Sequence, residues 1–183
     1  QGELLFTHFG VSGPLVLSLS GFLAGSDPTA ALVTLDLKPA LSPAMLEERL
    51  LGDIKTNSRR TLHSLLREYL PASMAAVFPD ILGLDGSITL NQFTQKDRDT
   101  LIEGFKNLPL RLHTARPFKE AVVTKGGMDV REVNPSTMAS KLVGGLYFAG
   151  ELLDVDALTG GFNLQIAFST GALAGTSAAH AIH

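Results

Sequence analysis

Apolar and polar positions run through this chain in three regimes. In residues 1–40, Leu4, Leu5 and Phe6 make a short strand-like run, and Gly10-Val11-Ser12-Gly13-Pro14 reads as a turn cluster. Pro14 suits the first position of a helix, where its missing N–H costs nothing. Leu15–Ser20 carries apolar Leu15, Val16, Leu17 and Leu19, a pattern equally suited to a buried helix turn or a strand. Val33, Leu35 and Leu37 alternate with Thr34, Asp36 and Lys38, which predicts a half-buried strand.

The period then lengthens. Ser42-Pro43 ahead of Met45, Leu46, Leu50 and Leu51 predicts a capped amphipathic helix. Leu62, Leu65, Leu66, Tyr69 and Leu70 keep helical spacing until Pro71. Met74, Val77, Phe78 and Ile81 predict another helix, broken or kinked at Pro79. Thr94 followed by Asp97 has the form of a cap with an acidic third residue, opening a helix over 95–107 with Leu101, Ile102, Phe105 and Leu108 as its buried stripe. Residues 42–108 thus read as a bundle of about four helices. Beyond them, Leu110–His113, Ala121–Thr124 and Leu146–Ala149 are strand candidates, and Leu164–Ala179 is a final helix.

Composition narrows the function classes. The 183 residues are 45% hydrophobic, enough for a packed core rather than wholesale disorder. The 15 basic and 18 acidic side chains argue against a dominant nucleic-acid surface. The chain has no cysteine, which excludes disulfides, thiolate metal sites and dithiol redox relays and suits a cytoplasmic location. No apolar run approaches the roughly 18 residues of a membrane span. The chain opens Gln1-Gly2-Glu3, with no secretory leader pattern, and is in a strand by Leu4; the expectation is a piece of a longer protein.

The chemistry concentrates near the end. Gly145 to Gly150 reads as a strand ending in glycine, Glu151, Asp154 and Asp156 form an acidic loop, and Gly160-Gly161 precede the last helix. Free N–H groups and the positive dipole end at such a helix start favour an electron-rich oxygen. Three acids without a base would repel a pyrophosphate but accept hydrogen bonds from sugar hydroxyls. A plain strand–loop–helix connection with a solvated acidic loop explains the same residues. Ala167, Gly171, Gly175 and Ala179 recur every four residues, a row that lets the helix back approach a neighbour closely.

The run from Leu146 to Gly175 resembles the C-terminal FAD-binding motif of bacterial flavoproteins of the aminoacetone-oxidase and bile-acid-reductase type. Two further stretches extend the resemblance. Leu4 through Pro14 is similar to the family's lead into an inserted domain. Val123-Thr124-Lys125-Gly126-Gly127, with Glu132-Val133-Asn134-Pro135 and Met138, is similar to its return. The resemblance implies an α/β (α+β) chain. Its insert domain would span 1–118, followed over 119–183 by the C-terminal part of a Rossmann-type FAD-binding domain.

The resemblance implies that Gly150 and Glu151 approach the ribityl chain and that Gly161, Phe162, Asn163 and Leu164 meet the isoalloxazine edge, with Asp156 and Gly160 completing the expected cofactor-binding residues. The parent would be an FAD-dependent oxidoreductase acting on a small organic molecule, with NAD(P)H as a possible reductant. Gly144, Ala157-Leu158 and Phe162 replace the family's usual Pro, Gly-Pro and Tyr. No GxGxxG occurs, so the isolated chain is expected to be inactive and to hold FAD weakly or not at all without the missing N-terminal half. A non-enzymatic lid or interaction module, prone to self-association along an unpaired edge, is the alternative.

Other residues carry less. His180 and His183 are three apart at the chain end, His63 is expected to be solvated, and His8 sits beside the glycine turn as a candidate acid or electrostatic partner. No paired metal spacing occurs, and neither membrane nor nucleic acid is an expected partner.

Overall fold

A computed structural model of the protein describes residues 1–181. The fold is α+β: six α-helices with short antiparallel strands, divided between two compact units. One unit is Ala31–Leu112; the other joins Gln1–Ala30 to the chain from His113 onward. This grouping follows contacts rather than chain order, and its boundaries differ from the sequence division at 118/119.

The Ala31–Leu112 unit is a helical module closed by a strand pair. Strands β3 (Leu32–Leu35) and β4 (Leu108–Arg111) are antiparallel, with Leu32 opposite Arg111, so the chain enters and leaves side by side. Between them lie α2 (Pro43–Thr56), α3 (Leu62–Leu66), α4 (Ala72–Leu82) and α5 (Gln95–Lys106). Ser42 caps α2 by accepting from the Met45 N–H. Thr94 and Asp97 form the complete capping box of α5. The apolar faces converge on Leu46, Leu50, Leu62, Leu65, Leu66, Phe78, Leu101 and Phe105, all fully buried. The Phe105 ring lies 5.1 Å from Phe78 and 5.6 Å from Tyr69, centre to centre. Lys106 fastens the 36–41 loop: its ammonium pairs with Asp36 at 2.5 Å and donates to the Lys38 and Leu41 carbonyls.

Two helical expectations change here. The third helix stops at Leu66, and Tyr69 and Leu70 are buried from the turns that follow, because the Tyr69 and Leu70 N–H groups both bond back to the Leu66 carbonyl ahead of Pro71. Pro79 does not break α4, which continues to Leu82. The ring is buried in the core, and the helix forgoes one backbone bond there. His63 is not simply solvated: it is half-buried, its Nε2 is 3.2 Å from the Ala76 carbonyl, and it packs where a Gly86 side chain would stand.

In the other unit, β1 (Leu5–Thr7) and β2 (Gly10–Ser12) form a hairpin, so three of the five residues of the expected turn cluster are strand. The ambiguous run after Pro14 is helical, α1 (Pro14–Leu23). The last helix, α6, spans Phe162–His180; His183 lies outside the described residues. Ala121–Thr124 and Leu146–Ala149 are not strands. A strand needs a partner along its length, and within the described residues Tyr147 has only a single bridge to Ala139. No helix among the described residues is long and apolar enough to cross a membrane.

Candidate functional site

The expected site residues all belong to the unit that contains α6. A small core of Val133, Met138, Leu153 and Ala174 anchors it, with Met128, Tyr147, Phe148 and Ala149 packed alongside. Gly127 makes the closest approach: its backbone has φ +143°, and a side chain there would lie 2.6 Å from the Leu152 carbonyl oxygen. The contact lets Met128 bridge Leu153 in parallel, through Met128 N–H to Leu152 and Asp154 N–H to Met128.

Gly150 opens a single 3₁₀ turn, Gly150–Leu152, seated against the second turn of α6. Its N–H donates to the Thr170 hydroxyl at 2.9 Å, and a side chain there would face Ala167 at 3.8 Å. Glu151 is held by one carboxylate oxygen: Oε1 accepts from the Thr124 N–H at 2.5 Å and hydroxyl at 2.9 Å. Those two donors hold the carboxyl below its ordinary range. Asp156 lies near Gly21 of α1, whose carbonyl accepts from Lys125 at 2.9 Å.

The loop before α6 is tied at two points. The Asn163 side chain grips Ala157 from both sides, accepting from its N–H at 2.8 Å and donating to its carbonyl at 2.9 Å. The Thr159 hydroxyl meets Ser18 at 3.1 Å. Gly160 and Gly161 precede the helix, and Gly161 caps it in the left-handed region, φ 89°, without a side-chain bond. Because Asn163 spends its amide on Ala157, the backbone N–H groups of Phe162, Asn163 and Leu164 have no partner among the described residues. Phe162 and Leu164 side chains are about 60% exposed (60% and 63%).

The structure therefore joins Gly150 to α6 through Thr170 and Asn163 to the acidic loop through Ala157. It brings no cation to Asp154 or Asp156, and no group of residues among those described could hold a metal. In the row of small residues, Ala167 lies beside Gly150, whereas side chains added at Gly171 and Gly175 would meet nothing within 4 Å among the described residues. His8 sits in the hairpin turn, edge-on to Phe9. Thr124, Thr170 and Thr159 are the positioning groups that spacing alone did not single out. A hydroxyl in the middle of a small, apolar helix face was the available signal for Thr170.

Residues 1–123 match the HI0933-like protein barrel and H2TH domain. The chain belongs to the HI0933-like family. A ribosomal RNA dihydrouridine synthase of Escherichia coli (strain K12) is 32% identical over 92% of this chain and 40% of its own length. The 3-dehydro-bile acid delta(4,6)-reductase of Clostridium scindens is 28% identical over 97% of this chain and 44% of its own length. A ribosomal RNA dihydrouridine synthase of Haemophilus influenzae is 30% identical over 92% of this chain and 40% of its length. This HI0933-like chain thus spans between 40% and 44% of the curated relatives it matches.

Proposed function

We propose that this HI0933-like chain is part of an FAD-dependent oxidoreductase that reduces an activated carbon–carbon double bond. The relatives' names support the reaction class. A dihydrouridine is a uridine saturated across one ring double bond, and a delta(4,6)-reductase removes double bonds from a conjugated system. Both add a hydride and a proton to an alkene polarised by a carbonyl. The substrate is accordingly either a uracil ring or a small conjugated carbonyl compound.

The observation that carries the reading is the start of α6, where three backbone donors have no partner among the described residues at the positive end of a 19-residue helix. These residues fit a flavin. Gly161 has no side chain to obstruct the approach, and Phe162 and Leu164 present apolar surface beside the donors. The N–H groups of Phe162, Asn163 and Leu164 would hold a carbonyl oxygen of the ring and stabilise negative charge on it. Glu151, one oxygen fixed by Thr124, would turn the other to ribityl hydroxyls, with Gly150 next to it in the chain, and Asp156 and Gly160 would complete the cofactor-binding set. When bound, the flavin supplies the hydride, replenished by NAD(P)H. The pyrophosphate end falls to residues beyond these 183, since no GxGxxG is present. A cytoplasmic setting, where nicotinamide cofactors are abundant, completes the proposal.

The test is flavin retention by the full-length gene product. It should purify yellow, and Glu151→Ala should release FAD at least tenfold more readily, read by flavin fluorescence on dilution. A colourless wild-type protein that ignores added FAD would overturn the reading.

A further inference from the structure

We infer that the helical module binds the phosphodiester backbone of RNA through the loops that follow α2 and precede α5. Two stretches of this module, residues 54–67 and 86–96, contain no Asp or Glu. The fold joins them: Thr61 bridges Thr89, the Leu90 N–H bonds to the Arg60 carbonyl, and the Asn91 N–H bonds to the Ser58 carbonyl. Lys55 and Arg59 flank the first loop and Lys96 follows the second, all three exposed and in no ion pair among the described residues. Asn57, Ser58 and Asn91 add amide and hydroxyl groups between them.

The carboxylates that border these stretches are all turned onto donors of the protein itself. Asp53 accepts from the Tyr69 hydroxyl at 2.5 Å, and Glu68 pairs with Arg60. Asp85 accepts from the Ser87 N–H and hydroxyl, and Asp97 accepts from those of Thr94. Two joined loops of a chain of net charge -3 thus carry exposed cations and neutral polar groups, while their border acids are engaged by the protein's own donors. Cations supply phosphate affinity, while amides and hydroxyls suit the sugar 2′-hydroxyl and phosphate oxygens. The inference deepens the reductase reading, on which it rests for the substrate: of the two candidates it favours a uracil within RNA. It departs from the expectation, drawn from net charge, that nucleic acid is not a partner, and the experiment below decides between the two.

Fluorescence anisotropy with a labelled single-stranded RNA of about 20 nucleotides, without flavin or nicotinamide, tests it. Wild-type protein should bind, more weakly as salt rises. Lys55→Ala/Arg59→Ala should bind about tenfold more weakly, with the log–log salt slope shallower by about 1.4 for the two lost contacts. Lys119→Ala/Lys141→Ala, which removes the same charge elsewhere, should bind as wild type. Circular dichroism establishes that each variant is folded, and the single variants Lys55→Gln and Arg59→Gln stand in if the double one is not. Absence of RNA binding, equal loss in both double variants, or binding only to phosphatidylglycerol vesicles overturns the inference. A protein that retains flavin but ignores RNA overturns this inference alone; RNA binding without flavin retention overturns only the reductase reading.

Discussion

At Gly127 the backbone passes so close to Leu152 that a methyl group would stand 2.6 Å from a carbonyl oxygen. The residue also has φ +143°, outside the range that L side chains readily adopt. Gly127→Ala should therefore cost about 2–3 kcal/mol, read as a lower urea midpoint, by loosening the Met128–Leu153 bridge. Glu151 gives a pH-dependent prediction. Thr124 lowers its folded carboxyl below the ordinary value of 4.5, so its contribution is complete above that pH and disappears as the pH falls through the folded value. Glu151→Gln should melt below wild type at pH 7, and the gap should close as the pH is taken below the ordinary carboxylate range. A gap that persists in acid would show that the amide fails for a reason other than charge.

At the scale of elements, capped helices and the alternating strand at Val33 and Leu35 are determined locally, whereas a strand without a partner is not. Ser42 and the Thr94–Asp97 pair announce α2 and α5 because a cap acts over three residues, and the structure forms both caps. Leu146–Ala149 has the composition of a strand, but a ladder needs a neighbour along its length, and among the described residues its pairing is the single bridge of Tyr147 to Ala139. The glycine-opened start of α6 was legible from Gly160-Gly161, whereas the clamps on it were not. Thr124 reaches Glu151 across 27 positions and Thr159 reaches Ser18 across 141, distances over which no periodicity operates. Gly171 bears on α6 itself. Open space surrounds it in this chain, so Gly171→Ala should raise the stability of the 183-residue chain by up to about 1 kcal/mol through helix propensity. If the same substitution in the full-length product lowers the melting temperature, that face of the helix is covered there.

At the scale of the molecule, the Ala31–Leu112 unit has the features of an autonomous module. It is continuous in sequence, its ends are paired through β3 and β4, and it holds a separate cluster of 14 buried residues. Expressed alone, residues 31–112 should give a helical circular-dichroism spectrum and a cooperative melt, while a gradual melt would mean that its core needs the rest of the chain. The small core beside α6 has only four buried residues, and much of its organisation lies in hydrogen-bonded loops around one exposed helix start. That start is where the flavin reading stands or falls. Hydrogen–deuterium exchange of the full-length gene product, with and without FAD, measures it at the atoms concerned. On this reading, FAD slows exchange at the amides of Phe162, Asn163 and Leu164. Bound FAD that leaves those three amides exchanging at their free rate would contradict it.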